Sequence, residues 1–193
     1  MRRSGFTFVE LLVVCLLFLG VGAGLLTVFL SSRTSSLSGD AYVQVQEEAR
    51  KAFDRAVQDL RQAGNVVVSA DAKQLHFQTA RGYNTEATCQ NPPAICWGSE
   101  AATGEWLHLV ITGAGDNVQL VRCTTAALVN PVADVTGCRV LANRVKGGTS
   151  SFVYDAANRV VTLTMEFEYQ NAALPGGRQT TTPLSTRVKL RNP

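Results

Sequence analysis

The sequence predicts an α+β fold: a long N-terminal helix, membrane-spanning in its first part and packed in its second against an antiparallel β-sheet. Three observations carry this. A run from Phe6 to Leu30 holds one charged residue, Glu10, in 25 positions. A segment from Asp40 to Ala63 repeats apolar residues at helical spacing. Beyond Gly64, short apolar stretches alternate with glycine- and aspartate-containing turns, the pattern of strands. The chain has 193 residues, enough for one domain with a modest core plus an appendage.

The first element is the apolar run. A helix needs roughly 20 apolar residues to cross a bilayer, and this run exceeds that. Arg2 and Arg3 precede it and are expected to stay cytoplasmic, with everything after Leu30 on the other side. A cleaved secretory signal is the competing reading. Its apolar region would be about 7–15 residues. This one is longer and has no clean small-x-small site after it, so retention as an anchor is expected.

The second element follows a serine-rich stretch, Ser31–Gly39, that reads as a linker. Phe53, Ala56, Val57 and Leu60 stand at i, i+3, i+4 and i+7. Asp40 is a candidate N-cap and Gly64 a candidate stop. Glu47 and Lys51 stand four apart in the favourable order. An unbroken helix from Phe6 to Ala63 would extend about 87 Å, with Ser38-Gly39 the place for a kink. Gly20, Gly22 and Gly24 weaken the helix interior by about 1 kcal/mol each relative to alanine, and also suit close helix packing.

The strands come next. Val66–Ser69 and Gln74–Thr79 predict a hairpin across Asp71-Ala72. Trp106–Thr112 and Val118–Cys123 flank the turn Gly113–Asn117. Phe152–Tyr154 and Val160–Tyr169 flank Asp155–Arg159, and Leu184–Leu190 is the last strand. Val161, Leu163, Met165, Phe167 and Tyr169 alternate cleanly, so one sheet face is expected to be buried.

Cysteine usage fits an oxidising compartment. Cys15 falls in the apolar run; Cys89, Cys96, Cys123 and Cys138 follow it. The last four permit three pairings. Sequence proximity favours Cys89–Cys96 and Cys123–Cys138, each worth about 2–3 kcal/mol. Their spacing, without nearby histidines, is unlike a zinc site.

No catalytic constellation stands out. His76 and His108 each lie within a predicted strand and are expected to be structural. Glu166 and Glu168 flank Phe167 and are expected to share a solvated strand face rather than an active site. No nucleophile elbow or phosphate-binding loop is present. Asp116 and Asn117 are read as a turn rather than a calcium loop. No cofactor, metal or enzymatic activity is expected.

DNA is a weak candidate partner. Lys+Arg total 18 and Asp+Glu 15; without Arg2, Arg3 and Glu10 they are 16 and 14, a balance of only +2. Arg187, Lys189 and Arg191 alternate on the last strand as a small basic stripe. Binding by phosphate neutralisation calls for a larger patch, and edge protection accounts for the same residues.

The N-terminus, Met-Arg-Arg-Ser-Gly5-Phe6-Thr7-Phe8-Val9-Glu10-Leu11-Leu12, resembles the signal of type IV prepilins and type II secretion pseudopilins. The resemblance implies cleavage after Gly5 by a prepilin peptidase, N-methylation of Phe6, and Glu10 at the family's fifth mature position. A carboxylate inside a membrane helix costs about 2.5–3.5 kcal/mol. After cleavage the amine of Phe6 stands four residues away on the same helical face. The family implies that Glu10 pairs with that amine on a neighbouring subunit. The stretch Glu47–Phe53 through Asp59-Leu60-Arg61-Gln62-Ala63-Gly64 further resembles PilW-type minor pilins and J-type pseudopilins.

The layout implied is a leader over residues 1–5, a membrane and filament-core helix over 6–30, a linker and amphipathic stem over 31–64, and a β-rich domain over 65–193. The expected role is a structural subunit that primes, assembles or caps a pilus or pseudopilus. Its expected partners are other pilins, through the N-terminal helix, membrane lipid and an inner-membrane assembly platform. The alternative is a pilus-displayed module that binds DNA or a surface.

Overall fold

A computed structural model describes residues 8–83, 89, 94–170 and 179–191. Among the described residues one α-helix, α1 (Phe8–Arg61), is followed by nine strands: β1 (Ala63–Val68), β2 (Gln74–Tyr83), β3 (Ile95–Gly98), β4 (Trp106–Thr112), β5 (Gln119–Thr125), β6 (Arg139–Ala142), β7 (Ser151–Asp155), β8 (Val160–Gln170) and β9 (Gln179–Lys189). The fold is α+β, with a long helix packed on antiparallel sheet.

The segment Ser31–Gly39, expected as a linker, is helical, and Asp40 is an interior helical residue rather than a cap. The physical reason is cooperativity. Nucleation is the unfavourable step of helix formation, and flanking helix on both sides spares this segment from it. Serine and glycine inside the helix then cost only about 0.5–1 kcal/mol each. The helix stops at Arg61, earlier than Gly64, where Gln62 N–H donates to the Asp59 carbonyl at 3.2 Å. Gly64 instead lies in β1, under the ring of Trp97; a Cβ there would overlap that ring.

Two sheets form where one was expected. The larger runs β1-β2-β4-β5-β6, with β3 pairing the far half of β2. The smaller is β7-β8-β9. The short strands β3 and β6 have no counterpart in the sequence reading, β1 begins earlier than Val66, and β9 begins earlier than Leu184. The hairpin turns at Asp71-Ala72, Gly113–Asn117 and Asp155–Arg159 stand where expected. At the first, Asp71 Oδ1 accepts from Lys73 N–H at 3.0 Å and Ala72 takes φ 58. Gly113 has φ 119 and faces the Asn117 carbonyl too closely for a Cβ.

The core is shared by helix and both sheets. From α1 come Val45, Ala49, Ala52, Phe53, Ala56 and Leu60; from the large sheet Leu75, Phe77, Leu107, Leu109 and Leu120; from the small sheet Phe152, Val161, Leu163, Met165 and Phe167. Alanines at 49, 52 and 56 bring the helix close to the sheets, and Phe53 meets Phe167 at 6.3 Å between ring centroids. Lys73 ties the sheets together by donating its Nζ to the carbonyls of Gly147 and Ser150.

The opposite face of the large sheet holds a second, smaller cluster: Val110, Val121, Cys123 and Val132, with Val135 and Cys138 against it. Val132, Val135 and Cys138 belong to the loop after β5, which lies across this face.

Candidate functional site

The most unusual surface is the first half of α1. Phe8–Arg33 is long and apolar enough to cross a membrane, and none of it is buried by the rest of the chain. Its 26 residues extend about 39 Å at helical rise, against a hydrocarbon core of roughly 30 Å. Phe8, Leu11, Leu17, Phe18, Leu25 and Phe29 are all more than half exposed. Apolar side chains point to every side, which is the pattern of a helix surrounded by lipid or by other apolar helices. The second half of the same helix is one-sided, with Val45, Ala49, Phe53, Ala56 and Leu60 buried and Glu47, Arg50, Lys51 and Asp54 outward.

Glu10 sits in the first turn of the described helix. Gly5 and Phe6 lie outside the described residues. Gly20, Gly22 and Gly24 are helical and open, with nothing within 4 Å of where a Cβ would stand. Cys15 is a free, exposed thiol on the same apolar surface.

A charged network fixes the second half of the helix to the large sheet. Asp59, buried, accepts from Arg122 Nε at 2.8 Å. Arg55 Nε stands 3.4 Å from the other Asp59 oxygen without hydrogen-bond alignment. Glu100 closes the group, pairing with Arg55 Nη2 and with Arg122 Nη2 at 3.2 Å.

The structure pairs Cys89 with Cys96 and Cys123 with Cys138, at Cα separations of 5.3 and 4.6 Å. The first pair closes the approach to β3. The second ties the start and end of the loop that covers the outer face of the large sheet.

The two histidines meet beneath that loop. His76 on β2 and His108 on β4 are directly opposed in register, fully buried, with their Nδ1 atoms 2.6 Å apart. Burial lowers the pKa of both; His108 is brought to about 4, with the neighbouring His76 adding to the effect. Sequence reasoning placed each histidine in a strand but not the pair, because β3 is inserted between β2 and β4 and hides the register.

The remaining candidates stay apart. Glu166 and Glu168 do share a face of β8, half-exposed. Thr149 donates to Glu166 at 2.5 Å, and this, with Lys146 at 3.3 Å, holds its carboxyl below the ordinary value. A proton-donating acid would need the opposite shift. Asn117 is exposed in the single-turn 3-10 segment Gly115–Asn117. Among the described residues, no group of three or more His, Cys, Asp or Glu side chains is placed to hold a metal ion. Arg187 and Lys189 are exposed on β9, an edge strand, with Arg191 just beyond it.

A cleft of about 500 Å³ lies between the Gly113–Asn117 turn and the segment 144–148, lined by Arg144, Lys146 and Glu168 among others. Its cationic and anionic walls select no ligand class. No family model, curated protein or solved structure matches this chain.

Proposed function

We propose that this chain is a pilin-like structural subunit, a minor type IV pilin processed after Gly5, that assembles through its N-terminal helix. One observation carries the reading: a single helix serves as exposed apolar stem over Phe8–Arg33 and as domain core from Val45 to Leu60. A rigid connection of this kind transmits the position of the stem to the domain. A disposable signal or a flexible tether has no use for it. In this reading the stem rests in the inner membrane with the β-rich domain exported. It is withdrawn into a bundle of like helices by an assembly platform. Glu10 pairs with the methylated amine of Phe6 on a neighbouring subunit, which sets register because an uncompensated charge among apolar helices is costly. A secretion pseudopilus would use the same parts.

The test is intact mass and N-terminal sequence of the protein from native membranes. A mature chain starting at N-methylated Phe6, with precursor accumulating for Gly5→Ala, is the expected result. A chain retaining Met1, or cut near Ser31, would overturn the proposal.

A second reading rests on Arg187, Lys189 and Arg191, which place positive charge at one exposed edge of the small sheet. It makes the domain a DNA- or surface-binding module. Salt-sensitive DNA binding, lost on Arg187→Glu with Lys189→Glu, supports it. No binding near physiological salt removes it.

A further inference from the structure

His76 and His108 are the only two histidines in the chain, and the hydrogen bonds around them fix where their protons lie. The Thr125 hydroxyl donates to the Ala127 carbonyl at 2.6 Å. Having one proton, it can only accept from His108 Nε2, which stands 2.6 Å away. His108 therefore carries its proton on Nε2, and its Nδ1 is a bare acceptor. His76 Nδ1, 2.6 Å from it, must then be the donor. This leaves Nε2 of His76 as a bare acceptor, and that atom is buried without a hydrogen-bond partner among the described residues. The result is a directed chain from His76 through His108 and Thr125 to the backbone of the covering loop, with one empty proton site at its start.

That empty site decides the order of protonation. A first proton at Nε2 of His76 leaves all three hydrogen bonds intact; burial opposes the charge, and the Asn130 side chain, able to accept from that nitrogen once it is protonated, favours it. A second proton has only Nδ1 of His108 to occupy. It would there face the N–H of His76, two donors and two positive charges at hydrogen-bond distance. The contact must break.

The loop over the rings is the piece free to respond. It holds Ala127, Asn130 and Val132, and Gln74 clamps it by accepting from Val132 N–H at 2.6 Å and donating to the Val132 carbonyl at 3.2 Å. The Cys123–Cys138 bond keeps both loop ends in place when the middle lifts. The β2–β4 ladder is backbone hydrogen bonding and does not depend on the rings.

On the covering loop the one charged side chain is Asp134, which is exposed and held by Thr136 N–H at 2.8 Å. Asp71, in the turn before β2, favours the protonated form of His76. Opposite His108 on β5 stands Cys123, which is in the disulfide. Val67 of β1 pairs His76, and Gln74, Gln78, Val110 and Val121 on the neighbouring positions of the same face are neutral.

We infer that the His76–His108–Thr125 chain is a proton-operated latch on loop 126–138: one proton is stored at His76 with the loop closed, and a second releases it. The latch is independent of the assembly role proposed above.

The test uses the untagged full-length chain in detergent micelles with ¹⁵N-labelled histidine, so that two rings are seen, assigned by His76→Gln. Long-range N–H correlation at neutral pH is expected to show one Nδ1–H ring, His76, and one Nε2–H ring, His108. On acidification His76 gains its proton first. Exchange protection of the Val132 amide, corrected for intrinsic rate, is expected to hold through that step and fall at least tenfold at the second. In His76→Gln the amide side chain can accept from protonated His108, so acid release is lost. Thr125→Val, a second variant of nearly the same shape, removes the acceptor that fixes the tautomer and is expected to abolish the order of protonation. Two Nε2–H rings at neutral pH, or Val132 protection unchanged after both rings are charged, would overturn the inference.

Discussion

Asp59 of α1 and Arg122 of β5 meet at 2.8 Å with both side chains largely removed from solvent. They join α1 to β5, the strand next to the β6 edge of the large sheet. Breaking a buried pair from one side leaves the other charge uncompensated, which typically costs about 3–5 kcal/mol. Asp59→Ala leaves Arg122 and Arg55 with the exposed Glu100 as their shared counter-charge, so its cost is expected at or below the lower end of that range. Asp59→Ala with Arg122→Met is expected to lose less than Asp59→Ala alone. Urea denaturation of the two variants checks this, and a larger loss in the double variant would contradict it.

The buried histidines make stability depend on pH. Both have folded-state pKa values below the ordinary 6.5, His108 at about 4. The unfolded chain thus binds protons that the folded one refuses. Their contribution is fully present above pH 6.5 and is lost as pH falls through about 4. For His108 alone the loss is on the order of 3 kcal/mol. Denaturant midpoints measured from pH 7.5 to 4 should fall in that window, and the slope should shrink in His108→Gln. A flat profile would show that the folded chain takes up protons at these rings as readily as the unfolded one.

The two disulfides should differ in worth. Cys123–Cys138 closes a loop of sequence separation 15 and Cys89–Cys96 one of 7. Loop-closure entropy gives about 3 kcal/mol for the first and somewhat less for the second. Cys123→Ser with Cys138→Ser is expected to lower the thermal midpoint more than Cys89→Ser with Cys96→Ser. Parallel melts of both double variants decide it.

Sequence reading succeeded where the signal was local. The alternation of Val161, Leu163, Met165 and Phe167 is the inward face of β8, all four buried. The turns at Asp71-Ala72 and Gly113–Asn117 are legible through their aspartate and glycine residues, and Gly113 and Gly115 do take positive φ, whereas φ 58 at Ala72 has no sequence signal. It failed where partners were remote. β3 and β6 are four residues each, too short for periodicity, and are held by neighbours distant in sequence. The chain crosses from the large sheet to the small one after β6, where Lys146 N–H donates to the Glu166 carbonyl, a contact remote in sequence. The basic stripe was legible as an alternation, and its edge position explains it as readily as any ligand does. The histidine pair, and the loop that covers it, required the register of β2 on β4.

The Ser31–Gly39 stretch is where local propensity and the flanking helix disagree. Propensity marked it as a break, yet helix runs through it from both sides. Gly39 is exposed, helical, and has nothing within 4 Å of an added Cβ. It therefore has no packing role that only glycine can fill. Gly39→Ala should stabilise the helix by about 0.5–1 kcal/mol by reducing the freedom of the unfolded chain. Gly39→Pro should cost about 3 kcal/mol or more and kink the stem away from the domain. Helical circular dichroism in micelles, with spin-label distances between Leu26 and Lys51, would measure both. A long, rigid stem predicts a narrow distance distribution that Gly39→Ala leaves in place and Gly39→Pro broadens. If the parent distribution is already broad and Gly39→Ala narrows it, the stretch acts as a hinge after all, and the rigid coupling between stem and domain falls with it.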